Sequence, residues 1–139
     1  MLGKAISLAS QVFEKTKDRG EQPYILHCLF VMDKVKYLGN TAMICAVLHD
    51  VVEDCPEITW EYMQKEFGDE VTLILQLLTH RKETDYMDYI KALSVHPIAK
   101  EIKKADLEHN SRITRLKGLR KKDLKKKEKY FRAYEYLKD

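Results

Sequence analysis

Apolar residues in this chain recur at steps of three and four, the spacing of one face of an α-helix, and never in the sustained alternation of a strand. Leu2, Ile6, Ala9, Val12 and Phe13 predict an amphipathic helix over residues 2–16. Gly20 and Pro23 make Lys17 to Pro23 a loop. A second helix is expected from about Tyr24 to Lys36, with Leu26, Leu29, Phe30 and Val35 turned inward and His27 in its first turn. Gly39 ends it, and Asn40 or Thr41 can cap the next helix. The run from Thr41 to Leu48 is almost wholly apolar, which predicts a central buried helix closed by Asp54-Cys55-Pro56.

The second half keeps the same rhythm. A short helix from Thr59, with Trp60, Met63 and Phe67 on one side, stops at Gly68, and Asp69 caps Glu70 to Thr79. His80 to Thr84 is polar and expected to be exposed. Asp85 and Asp88 give the next helix an acidic first turn, and Tyr89, Ile90 and Leu93 its core face. Pro97 starts a helix through Asn110 and beyond, with Ile98, Ile102, Ala105, Leu107 and Ile113 as its apolar stripe; Gly118 breaks it, and Asp123 to Leu137 forms the last. The expected fold is all-α, about seven or eight helices in one domain spanning residues 1–139.

Composition agrees: 45% apolar residues, 34% charged, and only 5 Gly and 3 Pro suit a soluble helical protein. No apolar run reaches the roughly 18 residues of a membrane span, and no signal-like block opens the chain, so a cytoplasmic protein without membrane contact is expected. Cys28, Cys45 and Cys55 are odd in number and scattered, which argues against a disulfide framework and for core thiols. The net charge of +3 hides an asymmetry, since residues 112–139 hold 12 Lys and Arg against 4 acids. Leu124, Tyr130, Phe131, Tyr134 and Leu137 recur through this lysine-rich segment at helical spacing. It reads as a helix of the same domain with a solvated basic face, more than as a nucleic-acid arm.

Chemistry concentrates at Ala46-Val-Leu-His-Asp-Val-Val-Glu-Asp54. On a continuous helix His49 stacks on Glu53 and Asp50 on Asp54, and no Lys or Arg lies nearby in sequence to pair with these acids. In the Pro97 helix, Asp106 and Asn110 repeat the four-residue step. With His27 upstream, the chain offers two imidazoles and two carboxylates, a set that suits manganese, iron or zinc better than calcium. His80, His96 and His109 read as structural, with His109 a second-sphere donor at most; Tyr86 and Tyr89 read as core more than as a platform for stacking a base, and Trp60 as a core anchor.

Four stretches carry a family resemblance: Gln22-Pro-Tyr-Ile-Leu-His27, Leu48-His-Asp-Val-Val-Glu-Asp54, Phe67-Gly-Asp-Glu-Val71 and Ala105-Asp-Leu-Glu-His-Asn110. In order and approximate spacing they resemble the HD-domain metal-dependent phosphohydrolases, and more closely the hydrolase domain of RelA/SpoT-type proteins and the small alarmone hydrolases. The resemblance runs from about Ser7 to Leu137. It implies that His27, His49, Asp50 and Asp106 bind one metal ion, usually Mn²⁺, and that Glu53 and Asp54 activate or position the attacking water. It also implies that Asn110 holds substrate near the ribose and 3′ phosphate. Lys17, Arg19 and Arg112 are the candidates for the other phosphates. The activity implied is removal of pyrophosphate from the 3′ position of (p)ppGpp, leaving GDP or GTP. A chain of this length has no room for a synthetase half, so hydrolysis without synthesis is expected. Asp18 stands where the relatives carry Arg, Cys28 where they carry Pro, and Ile113 where some carry Thr, which bears on the substrate. Another nucleotide or a phosphorylated dinucleotide is the alternative substrate, and an RNA- or partner-binding protein with a structural metal is the alternative of another class.

Overall fold

A computed structural model describes the backbone of residues 1–114 and 121–138, and the side chains of 1–110 and 125–138. In order the helices are α1 (Leu2–Val12), α2 (Ile25–Lys34), a 3₁₀ turn (Lys36–Leu38), α3 (Asn40–Leu48), α4 (Val51–Asp54), α5 (Trp60–Phe67), α6 (Asp69–Leu78), α7 (Tyr86–Leu93), α8 (Pro97–Thr114) and α9 (Lys121–Leu137). Among the described residues there is no strand, only an isolated bridge between Lys17 and Pro23. The all-α expectation holds.

α3 is the centre. Ala42 and every residue from Ile44 to Leu48 are buried, and α1, α2, α6 and α8 pack around it. A helix apolar on all sides finds its lowest free energy enclosed by other helices, which is where this one sits. Phe13, Val31, Met63, Ile74, Leu75, Ile90, Leu93, Ile102 and Leu107 extend the same core outward.

Several local expectations change. The helix anticipated from Thr41 to Asp54 is broken after Leu48, with His49-Asp50 as a turn and Asp50 at φ −107°, ψ 0°. The cause is competition for one carbonyl: Ala46 O, which would accept from the Asp50 amide in a continuous helix, lies 2.6 Å from His49 Nδ1 and 3.4 Å from His49 N. Leu26 is 49% exposed, because α2 turns His27, Cys28 and Val31 inward instead. Glycines take two helix starts assigned to their neighbours. Gly39 (φ 97°) precedes α3 in place of Asn40 or Thr41, and Gly68 (φ 91°) both ends α5 and precedes α6, where Asp69 is already helical. Thr59 and Asp85 are the N-caps of α5 and α7, accepting from the amides of Tyr62 and Asp88. Phe131 is 63% exposed, whereas Ala133 and Leu137 anchor α9. Gly118, Ile113 and Leu124 lie outside the described residues or side chains.

Candidate metal centre

His27 from α2, His49 and Asp50 from the break between α3 and α4, and Asp106 from α8 meet at one point. One ligand atom from each lies within 4.8 Å of all the others. His27 Nε2 is 2.8 Å from Asp106 Oδ1, and His49 Nε2 is 3.2 Å from that oxygen and 3.0 Å from Asp50 Oδ2. Two ligands each about 2.1 Å from a common ion stand roughly 3 to 4.2 Å apart, so the three pairs lie at the short end of that spacing and the group could hold a divalent cation after small shifts. The helix break is what makes it possible, because it aims both His49 and Asp50 at the same point.

The neighbours prepare the ligands. His49 Nδ1–H donates to Ala46 O, which leaves Nε2 as the lone pair facing the cluster. His27 Nδ1 lies 2.7 Å from His109 Nδ1, where one ring donates to the other according to tautomer, and His27 Nε2 is the ring nitrogen that faces the cluster. His109 stacks on both His27 and Phe30. It touches the cluster through His27 and stands outside the four converging donors. Tyr24 O–H donates to Asp50 Oδ2. Lys103 Nζ donates to Asp106 Oδ2 at 3.0 Å, and Asn110 Nδ2 to Asp106 Oδ1 at 3.3 Å.

Charge follows from this packing. Burial disfavours the imidazolium of His49, but Asp50 and Asp106 beside it overcome that and raise its pKa well above the usual value. Burial likewise opposes charge on Asp106, yet the ammonium of Lys103 and then His49 hold its carboxyl well below the usual range. The metal-free cluster is therefore a His⁺–carboxylate network. Its His49 contribution to stability is fully present below pH ~6.5 and lost as pH rises through the raised folded value; that of Asp106 is present above pH ~3.9 and lost below. A metal must displace the His49 proton. Metal affinity should therefore fall as pH is lowered, with proton release on binding, seen as a buffer-dependent heat in calorimetry.

Tyr24 should tune the same site. Tyr24→Phe is expected to weaken metal binding roughly 10- to 100-fold without unfolding the protein, read by metal titration and thermal melting.

A cavity of about 270 Å³ opens beside the cluster, lined by Glu53 and Asp54 and also by Lys103, Tyr86, Lys129 and Tyr130. Burial, then the charges of Asp50 and Asp54, raise the pKa of Glu53; burial, then Asp50, raise that of Asp54. A second cavity of about 320 Å³ adjoins it, lined by Lys17, Asp18, Arg19 and Lys126. Tyr24, Asn110 and Tyr130 line both. Lys17 and Arg19 thus line the cavity next to the one at the cluster, with Asn110 between the two spaces; the Arg112 side chain lies outside the described residues.

Asp18 has a local duty. Its Oδ1 accepts from Gly20 N at 2.7 Å and Gln22 N at 3.0 Å, which closes the loop that carries Lys17 and Arg19. Sequence reasoning missed Lys103, Lys126, Lys129 and Tyr130 as cavity residues, and it left Tyr24 and His80 without roles. His80, expected to be exposed, is half-buried in the wall against Tyr86 and Tyr89. The one signal available was spacing: Lys126, Lys129 and Tyr130 fall at i, i+3 and i+4, one face of α9.

The chain belongs to the HD domain family, whose model matches residues 5–121. It is similar to a probable GTP pyrophosphokinase of Mycobacterium leprae, 32% identical over 81% of this chain and 16% of that protein. It is also similar to a GTP pyrophosphokinase of Streptomyces coelicolor, 30% identical over 90% of this chain and 16% of that protein. A guanosine-3′,5′-bis(diphosphate) 3′-pyrophosphohydrolase of Aquifex aeolicus is 32% identical over 55% of this chain and 11% of its own length. The chain spans about a sixth or less of these curated relatives. In fold it matches the structure of a metazoan SpoT ortholog described as hydrolysing ppGpp, with a TM-score of 0.77 at 20% identity over 98% of this chain and 84% of that one. HD domains hold divalent metals, and the domain match together with the His/Asp cluster supports a hydrolase. Among the described residues no helix is long and apolar enough to cross a membrane.

Proposed function

We propose that this chain is a metal-dependent phosphohydrolase that removes pyrophosphate from the 3′ position of guanosine 3′,5′-bis(diphosphate) or its triphosphate analogue. The observation that carries the reading is a four-donor cluster opening on two acids, with a basic cavity next door. The pyrophosphohydrolase named among the relatives favours this substrate. A divalent ion in the cluster, with Mn²⁺ the first candidate, would lower the pKa of a water and neutralise phosphate oxygens.

His27, His49, Asp50 and Asp106 would hold that ion. Glu53 and Asp54, with pKa values raised toward the working range of a general base, take the proton of the attacking water. The water oxygen bonds to the 3′ phosphorus and the ribose 3′ oxygen leaves with the electron pair, taking up a proton. The products are GDP or GTP and pyrophosphate. Asn110 faces both cavities and holds the ribose and 3′ phosphate between them, while Lys17, Arg19 and Lys126 meet the 5′ phosphates.

The test is a panel of nucleotides incubated with purified protein and Mn²⁺, with phosphate and pyrophosphate release followed. Turnover of ppGpp with equimolar GDP and pyrophosphate is the expected result. Turnover only of another nucleotide or a phosphorylated dinucleotide would replace the substrate. No turnover of any would leave a binding protein with a structural metal.

A further inference from the structure

We propose that Lys129, Lys103 and the Tyr86 hydroxyl form an anion subsite in the metal-side cavity that receives the departing pyrophosphate, separate from the basic cavity formed by Lys17, Arg19 and Lys126. This rests on the hydrolase reading and adds a direction to it: the nucleoside diphosphate lies on one side of the Tyr130 wall and the pyrophosphate on the other.

Three observations carry it. First, Tyr86 O–H is buried and among the described residues has no hydrogen-bond partner, although its residue lines a polar cavity. Leaving a buried hydroxyl unpaired costs about 1–3 kcal/mol, so an acceptor that arrives with a ligand removes a standing penalty. Second, Lys129 Nζ sits 4.3 Å above the centre of the Tyr86 ring, and Lys103 Nζ 6.0 Å from the same centre. Two ammoniums and a hydroxyl around one ring offer several donors, which suits an anion with several oxygens. Third, Lys103 is already bonded to Asp106, whereas among the described residues Lys129 has no carboxylate within ion-pair distance. Burial, and then the ammoniums of Lys126 and Lys103, lower its pKa, the mark of a lysine placed in positive surroundings.

The cavity needs such a group. Asp50, Glu53, Asp54 and Asp106 line it, and a polyanion entering among four carboxylates is repelled unless cations lining the same cavity offset them. The Lys103 ammonium already offsets Asp106, so Lys129 brings to the leaving group the positive charge that no carboxylate among the described residues neutralises. The ring of Tyr86 fixes its position by a cation–π contact, which lowers the entropy lost when an oxygen docks.

The experiment uses the full chain loaded with Mn²⁺ and desalted, titrated calorimetrically with inorganic pyrophosphate and, separately, with GDP. Lys129→Met and Tyr86→Phe should each weaken pyrophosphate binding about tenfold or more and leave GDP affinity and metal content unchanged. Lys126→Met should do the reverse, weakening GDP and sparing pyrophosphate. Arg132→Met, a charge loss on the exposed side of α9, should change neither. Unchanged pyrophosphate affinity in both Lys129→Met and Tyr86→Phe overturns the subsite, as does an equal loss of pyrophosphate and GDP binding. These binding results stand apart from turnover: activity on ppGpp with unaltered pyrophosphate affinity in the variants sinks the subsite and spares the hydrolase. Absent turnover with the selective binding losses intact sinks the hydrolase and keeps the anion site.

Discussion

His49→Ala should lose the metal and the activity together. The imidazole touches both Asp50 and Asp106, so its removal takes one of four donors and leaves the two acids repelling each other in a buried site. Metal affinity should fall by more than the roughly 10- to 100-fold typical of a second-sphere change. Hydrolysis should become undetectable. The metal-free variant should also lose about 3–5 kcal/mol of stability, because a buried charge pair has been broken from one side. Asp50→Asn, which keeps the shape of the side chain, separates the two effects: it should bind metal weakly yet melt closer to the parent. Elemental analysis and thermal melting read both variants. A His49→Ala protein with a full complement of metal would contradict the shared site.

Glu53→Gln should behave oppositely, keeping the metal and losing roughly 10²- to 10⁴-fold in kcat, the range of a positioned general base. Glu53 is not one of the converging donors; it lines the cavity beside them. Its pKa is raised by burial and by Asp50 and Asp54, so its ionised form is held at a cost to the fold. The sign is definite: an acid whose folded pKa lies above the unfolded one destabilises the protein once pH exceeds the unfolded value, and relieves it as pH falls. Glu53→Gln should therefore raise the melting temperature of the metal-free protein at neutral pH while cutting turnover. A residue kept only for structure would do neither. Asp54→Asn is expected to follow the same pattern. Metal loss in either variant would move that acid into the ligand set.

The contrast between these two variants originates in the local backbone. His49 and Asp50 lie in a helix break and aim inward; Glu53 and Asp54 belong to the four-residue helix that restarts after it. A continuous helix, as expected from the apolar run, would have spread these side chains over adjoining faces. Residue order alone could not reveal the break, since it comes from His49 taking the Ala46 carbonyl, a bond settled when the imidazole is buried.

What the sequence determined by itself is the set of helices and the identity of the converging donors. Helical periodicity is a local property, written in steps of three and four, and the motif around His49 with Asp106 further on names donors whatever their coordinates. The tertiary structure decided who stands opposite them. Tyr24 meets Asp50 across 26 positions, His27 meets His109 across 82, and α9 brings Lys126, Lys129 and Tyr130 to the cavity wall from a stretch that reads as a solvated basic helix. Such contacts depend on how amphipathic faces dock around the buried α3, and docking is set by the packing of all of them at once. That is why the four converging donors were legible in order along the chain, while the residues that orient them and the basic walls of the cavity were not.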